Sequence, residues 1–84
     1  MKSAAIPYIT ARRNGAVVGT ISFEPGDAGV SRFIASTADG KLAARITDTG
    51  PSFQVKVTNK TTTCLHWQAA AEEAFGHGIT LEHA

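Results

Sequence analysis

Hydrophobic positions recur mostly every second residue through the first sixty positions, and this spacing predicts strands. Ile6–Arg13 runs into Asn14-Gly15 and continues as Ala16–Phe23. Asn-Gly is a strong hairpin signal, because a type I′ turn needs positive φ at both central residues. That turn pairs Arg13 with Ala16, Arg12 with Val17 and Tyr8 with Ile21. It gathers Ile6, Tyr8, Val17, Ile21 and Phe23 on one face, with Gly19 opposite Thr10. Ile9, Ala11 and Val18 are left on the other face. Breakers in Glu24–Gly29 mark a loop. A second hairpin, Ser31–Ala38 and Lys41–Thr47, turns at Asp39-Gly40 and pairs Phe33 with Ile46, Ala35 with Ala44 and Thr37 with Leu42. After a turn at Thr49-Gly50-Pro51, Ser52–Thr58 alternates again, with Phe53, Val55 and Val57 inward.

The period then changes. At about 100° per residue, Cys64, Trp67, Ala71, Ala74 and Phe75 share a stripe, which predicts a helix over residues 62–75. A threonine among Thr61–Thr63 serves as N-cap, and Gly76 is the stop. Leu65, His66, Ala69, Glu72 and Glu73 fall on the helix's other side. Residues 76–84 read as a tail in which Gly78–Glu82 forms either a short last strand or an irregular edge. The expected fold is therefore one α+β domain over residues 1–84. An antiparallel sheet of about five strands (residues 5–59) is covered on one face by a single C-terminal helix.

Composition narrows the function. The 84 residues are 43% hydrophobic and 18% charged, an ordinary globular balance. The single cysteine excludes an intramolecular disulfide framework, and no apolar run approaches the ~20 residues of a membrane span. The opening residues lack the apolar stretch of a signal peptide, so a cytoplasmic setting is expected. The net charge of +1 is a cancellation. Residues 1–60 hold all eight basic residues and four of the seven acids, a balance of +4. Residues 61–84 hold Glu72, Glu73 and Glu82 with no Lys or Arg, a balance of −3.

Candidate chemistry is sparse. No nucleophile elbow, zinc-binding helix pair or apolar carboxylate pair is present. The chain is expected not to be an enzyme, with no cofactor and no metal. Cys64 and His66 point about 200° apart on the predicted helix and cannot clamp one ion. The glycines of Glu24–Gly29 lead into a strand, so they do not make a phosphate-binding helix start. Two recognition surfaces remain. A basic one places Arg12 and Arg13 at the first hairpin tip and Arg32, Lys41, Arg45 and Lys56 on the open sheet face. Such cations suit nucleic acid, but Tyr8, Phe23, Phe33, Phe53, Trp67 and Phe75 all read as inward, which removes the aromatic stacking platform of single-strand binders. The other surface is acidic, with Glu72 and Glu73 on the helix and Glu82 nearby. Ile9, Val18, Ile34, Leu65 and Ala69 are candidate exposed apolar positions for a partner protein or a symmetric second copy.

Two resemblances accompany this reading. Gly50–Val57 followed by Ala69–Phe75 resembles part of a double-stranded-RNA-binding domain. That family has lysines at its second helix where this chain has glutamates, so no binding residue carries over. The overall layout resembles the small single-domain inhibitors of phages and mobile elements, among them anti-CRISPR proteins. The shared features are the short length, the Asn14-Gly15 and Asp39-Gly40 hairpins, the single helix and the missing catalytic set. This resemblance implies a stoichiometric inhibitor that occludes a partner, such as a CRISPR effector subunit, in the host cytoplasm. The sequence reading therefore expects a protein-binding module that uses Glu72, Glu73, Leu65, Arg32, Arg45, Lys56, Arg12 and Arg13. The alternative is a weak nucleic-acid binder using the basic hairpin tip and sheet face.

Overall fold

A computed structural model describes residues 8–24 and 31–83. Its strands are β1 (Ile9–Arg13), β2 (Ala16–Glu24), β3 (Ser31–Thr37), β4 (Leu42–Asp48), β5 (Phe53–Val57), β6 (Lys60–Cys64) and β7 (Thr80–His83). One helix, α1 (Trp67–Phe75), lies between β6 and β7. All seven strands form one antiparallel sheet in the order β6-β5-β4-β3-β2-β1-β7. The expected fold is corrected: the sheet has seven strands where the sequence suggested about five, and the one helix is short and is followed by a further strand.

One extra strand comes from residues assigned to the helix start, the other from the tail. Thr61, Thr62 and Thr63 do not cap the helix; they lie in β6, paired with Lys56, Val55 and Gln54. Three consecutive β-branched residues favour the pleated surface over a helical turn. The helix starts only at Trp67, with His66 as an N-cap that makes no side-chain bond. Gly76 ends it at φ 96°, as predicted. β7 is the short last strand, and it pairs along β1 from Ile9–His83 to Arg12–Thr80.

Each of the first two hairpins contains a β-bulge just beyond its turn. In the first, Arg12 pairs with Val17 and Arg13 with Ala16, as expected, around a turn with Asn14 at φ 53° and Gly15 at φ 83°. Val18 is then the extra residue, so Ala11 meets Gly19 and Ile9 meets Ile21. The predicted Tyr8–Ile21 and Thr10–Gly19 pairings are displaced by one residue. The covered face is consequently built from Ile9, Ala11 and Ile21, all fully buried, while Val17 is exposed. In the second hairpin, Phe33–Ile46 and Ala35–Ala44 pair as expected. Ala43 is then extra, and Leu42 meets Ser36 rather than Thr37. A bulge places two residues opposite one and switches the side-chain alternation. Leu42, expected in the core, is thereby turned out.

The helix crosses the covered face from β5 toward β2. Trp67 packs on Phe33 and Phe53 at ring separations of 4.8 and 4.5 Å. Ala70 and Ala71 are fully buried against the sheet. Phe75, at the far end, lies over Gly19 of β2, where any Cβ would collide with its ring. Nine residues rise about 13 Å, close to the three strand spacings from β5 to β2. The guanidinium of Arg13 donates to the carbonyl oxygens of Phe75 at 2.8 Å and His77 at 3.0 Å. A cation on the last carbonyls of a helix is worth about 0.3–1 kcal/mol. The side-chain amide of Gln68 donates to the Ile79 carbonyl at 2.9 Å, which fixes the chain as it leaves α1 for β7.

Candidate functional site: the open sheet face

The face opposite α1 has no helix on it among the described residues. Alternation along the strands places Arg32 and Ile34 of β3, Arg45 and Thr47 of β4, and Gln54 and Lys56 of β5 on this face. Arg45 pairs directly with Lys56, and Arg32 pairs with Thr47, so the three cations run diagonally over three adjacent strands. Directly opposed residues have Cβ atoms about 4.5–5.5 Å apart, and like charges there are destabilising. The Arg45–Lys56 pairing is therefore not chosen by sheet stability. Glu24 stands opposite Arg32 and lies 3.4 Å from the Arg45 guanidinium. That ion pair is exposed and worth about 0–1 kcal/mol.

Two hollows flank the Arg45–Lys56 pair. The first, about 370 Å³, is lined by Glu24, Arg32, Arg45, Thr47, Gln54 and Lys56, among others. The second, about 320 Å³, is lined by Leu42, Ala43, Ala44, Arg45, Lys56 and Thr58. Leu42 is 57% exposed. Thr58 forms its tight turn with φ at 56°, an unusual conformation for a β-branched residue.

The remaining predicted site residues are dispersed. Arg12 and Arg13 are adjacent in sequence but project from opposite faces. Arg12 meets Glu82 at 3.3 Å and the Gly15 carbonyl at 3.1 Å, whereas Arg13 holds the helix end. The hairpin tip is thus no free basic patch. The expected acidic cluster also does not assemble, because Glu82 lies across the sheet from α1 and is paired with Arg12. Glu72 is part-buried, accepting from the Gln68 amide at 3.1 Å and lying 3.3 Å from His77. Glu73 is exposed on the helix, and Leu65 is 69% exposed just before it. Ile9, read as a surface position, is fully buried, while Val18, Ile34 and Ala69 are half-buried.

Two aromatics depart from expectation as well. Tyr8 and Phe23 are 44% and 54% exposed. Both still touch the covered-face cluster, Tyr8 through Phe33 and Trp67 and Phe23 through Phe33. Cys64 ends β6 and His66 precedes α1, so neither lies on the helix, and no group of three metal-ligating side chains forms among the described residues. Burial, assisted by the negative Glu73, pushes the Cys64 thiol above its ordinary pKa, which suits an inert packing residue. Beyond Glu24, the glycine-rich loop lies outside the described residues. No helix among the described residues is long and apolar enough to cross a membrane. Alternation in the sequence already puts Thr47 and Gln54 on the face of the cations, as found. Glu24 and Leu42 were not expected beside them; for Glu24 the signal was available in the strand register, and for Leu42 it was hidden by the bulge.

Comparison with known protein families, with curated proteins and with solved structures finds no match for this chain.

Proposed function

We propose that this protein is a non-enzymatic binding module that docks an acidic segment of a partner protein on its open sheet face. The observation that carries the reading is the direct pairing of Arg45 with Lys56, with Arg32 diagonal to them and Glu24 beside Arg45. This arrangement costs stability in the free protein and is relieved when an anion lies across it. The hairpin-tip arginines and Glu72 have structural partners, which favours Arg32, Arg45 and Lys56 among the expected residues. The resemblance to small phage and mobile-element inhibitors extends the reading. A stoichiometric inhibitor in the host cytoplasm, covering an acidic surface of a CRISPR effector subunit or similar target, would work in this way without chemistry.

The same cations would attract phosphates, but the outer positions of β3, β4 and β5 carry no aromatic on which bases could stack. Titration with a glutamate-rich peptide and with short RNA and DNA duplexes at low salt tests the choice. Peptide binding that weakens with salt and is lost in the Arg45→Glu, Lys56→Glu double variant is the expected result. Binding of the duplexes without the peptide would transfer the face to nucleic acid.

A further inference from the structure

The second hollow extends the proposed docking face, and its role rests on that reading. Arg45 and Lys56 wall both hollows, so the two are halves of one surface divided by a cationic ridge. The halves differ in chemistry. The first is lined by Arg32, Thr47 and Gln54 and offers charge and hydrogen bonds. The second adds the exposed Leu42 side chain and Ala43. Leu42 lies there because the Ala43 bulge breaks the alternation that would otherwise bury it. The strained Thr58 closes the same hollow. Bulges and strained backbone commonly re-aim side chains at binding sites.

We infer that the partner segment is bipartite, an extended stretch with two acidic side chains at alternate positions and an apolar side chain two residues further on. The spacing follows from β4. Thr47, Arg45 and Ala43 occupy alternate positions of that strand, so an extended segment aligned with it presents side chains at matching intervals of about 6.8 Å. The two acids then meet Arg32, Arg45 and Lys56, and the apolar side chain covers Leu42 and Ala43.

The test uses three labelled peptides of equal length on the full chain, read by fluorescence anisotropy. One carries Glu-Ser-Glu-Ser-Leu, one Glu-Ser-Glu-Ser-Ser and one Ser-Ser-Ser-Ser-Leu. The first should bind about tenfold tighter than the second, the effect of covering one leucine side chain, and the third should not bind. Leu42→Ser should abolish that preference. Equal binding of the first two peptides would overturn the bipartite site and leave the acidic docking face standing. Failure of both acidic peptides to bind would remove the docking face itself, and the bipartite site with it.

Discussion

Gly19 is the position where one added carbon should do the most damage. It lies in β2, opposite Ala11 and beneath the ring of Phe75. A Cβ there would overlap Phe75 Cε1 and lie 2.7 Å from Cζ and 2.5 Å from the carbonyl oxygen of Ser36. Unstrained carbon contacts lie near 3.5–4.0 Å. The ring can swing aside at the cost of its packing, but the Ser36 oxygen belongs to the β3 backbone beside β2 and cannot. Overpacking of this kind costs about 1–3 kcal/mol. For a domain of this size each kcal/mol lowers Tm by about 4–8 °C. Gly19→Ala should therefore melt about 5–20 °C earlier, followed by the fluorescence of Trp67, the only tryptophan. Phe75→Leu relieves the ring contact alone, so the Gly19→Ala, Phe75→Leu double variant should recover about 1 kcal/mol relative to additivity. A Gly19→Ala protein melting within about 2 °C of the parent would refute the close approach of α1 to β2. Strict additivity would remove Phe75 from the account and leave the whole cost on Ser36.

Two further predictions concern turns. Thr58 adopts φ 56°, which glycine accepts freely, so Thr58→Gly should raise stability by about 1 kcal/mol and Tm by about 4–8 °C; Thr58→Val should give no gain in the same melting experiment. The Asp39 carboxylate accepts from the Thr37 hydroxyl and the Lys41 amide, which hold its pKa below the ordinary carboxylate value. A lowered folded-state pKa stabilises the fold above the unfolded pKa, and this contribution is lost as pH falls through the folded value. An NMR titration should therefore show the Asp39 carboxyl protonating below the free range, and Thr37→Val should move it back toward that range.

The parts of the fold legible in the sequence were those with local chemical causes. Asn14-Gly15, Asp39-Gly40 and Thr49-Gly50-Pro51 announce their turns, and Phe33, Ile46 and Val55 reach the buried face through plain alternation. The bulges had no such mark. Val17-Val18-Gly19 and Leu42-Ala43-Ala44 are apolar in either register, so their facing was decided by what packs above them. Phe75 requires Gly19 beneath it, and α1 selects Ile9 and Ala11 over Tyr8 and Thr10. β6 was obscured because its threonines are equally good as helix caps and as strand residues, and tertiary pairing with β5 made the choice. The cationic diagonal was readable from strand parity alone. Its apolar half was not, because Leu42 obeys the core pattern until the bulge displaces it.

The strand order carries a consequence for how the chain is assembled during synthesis. From β1 to β6 every strand neighbours the one made just before it, and each hairpin can close as soon as its second arm appears. β1 is the exception, since its outer neighbour is β7, reached only after α1 has carried the chain across the whole sheet. Ile9 waits for His83. Until β7 is made, the growing chain thus presents an unfinished edge at β1, the kind of edge that invites pairing with a neighbouring chain. The segment from Trp67 to His83 acts as a clasp that both covers the apolar face and closes that edge. Contacts of such long sequence separation close more slowly than those of a hairpin, so the β1–β7 pairing is expected to form after the hairpins.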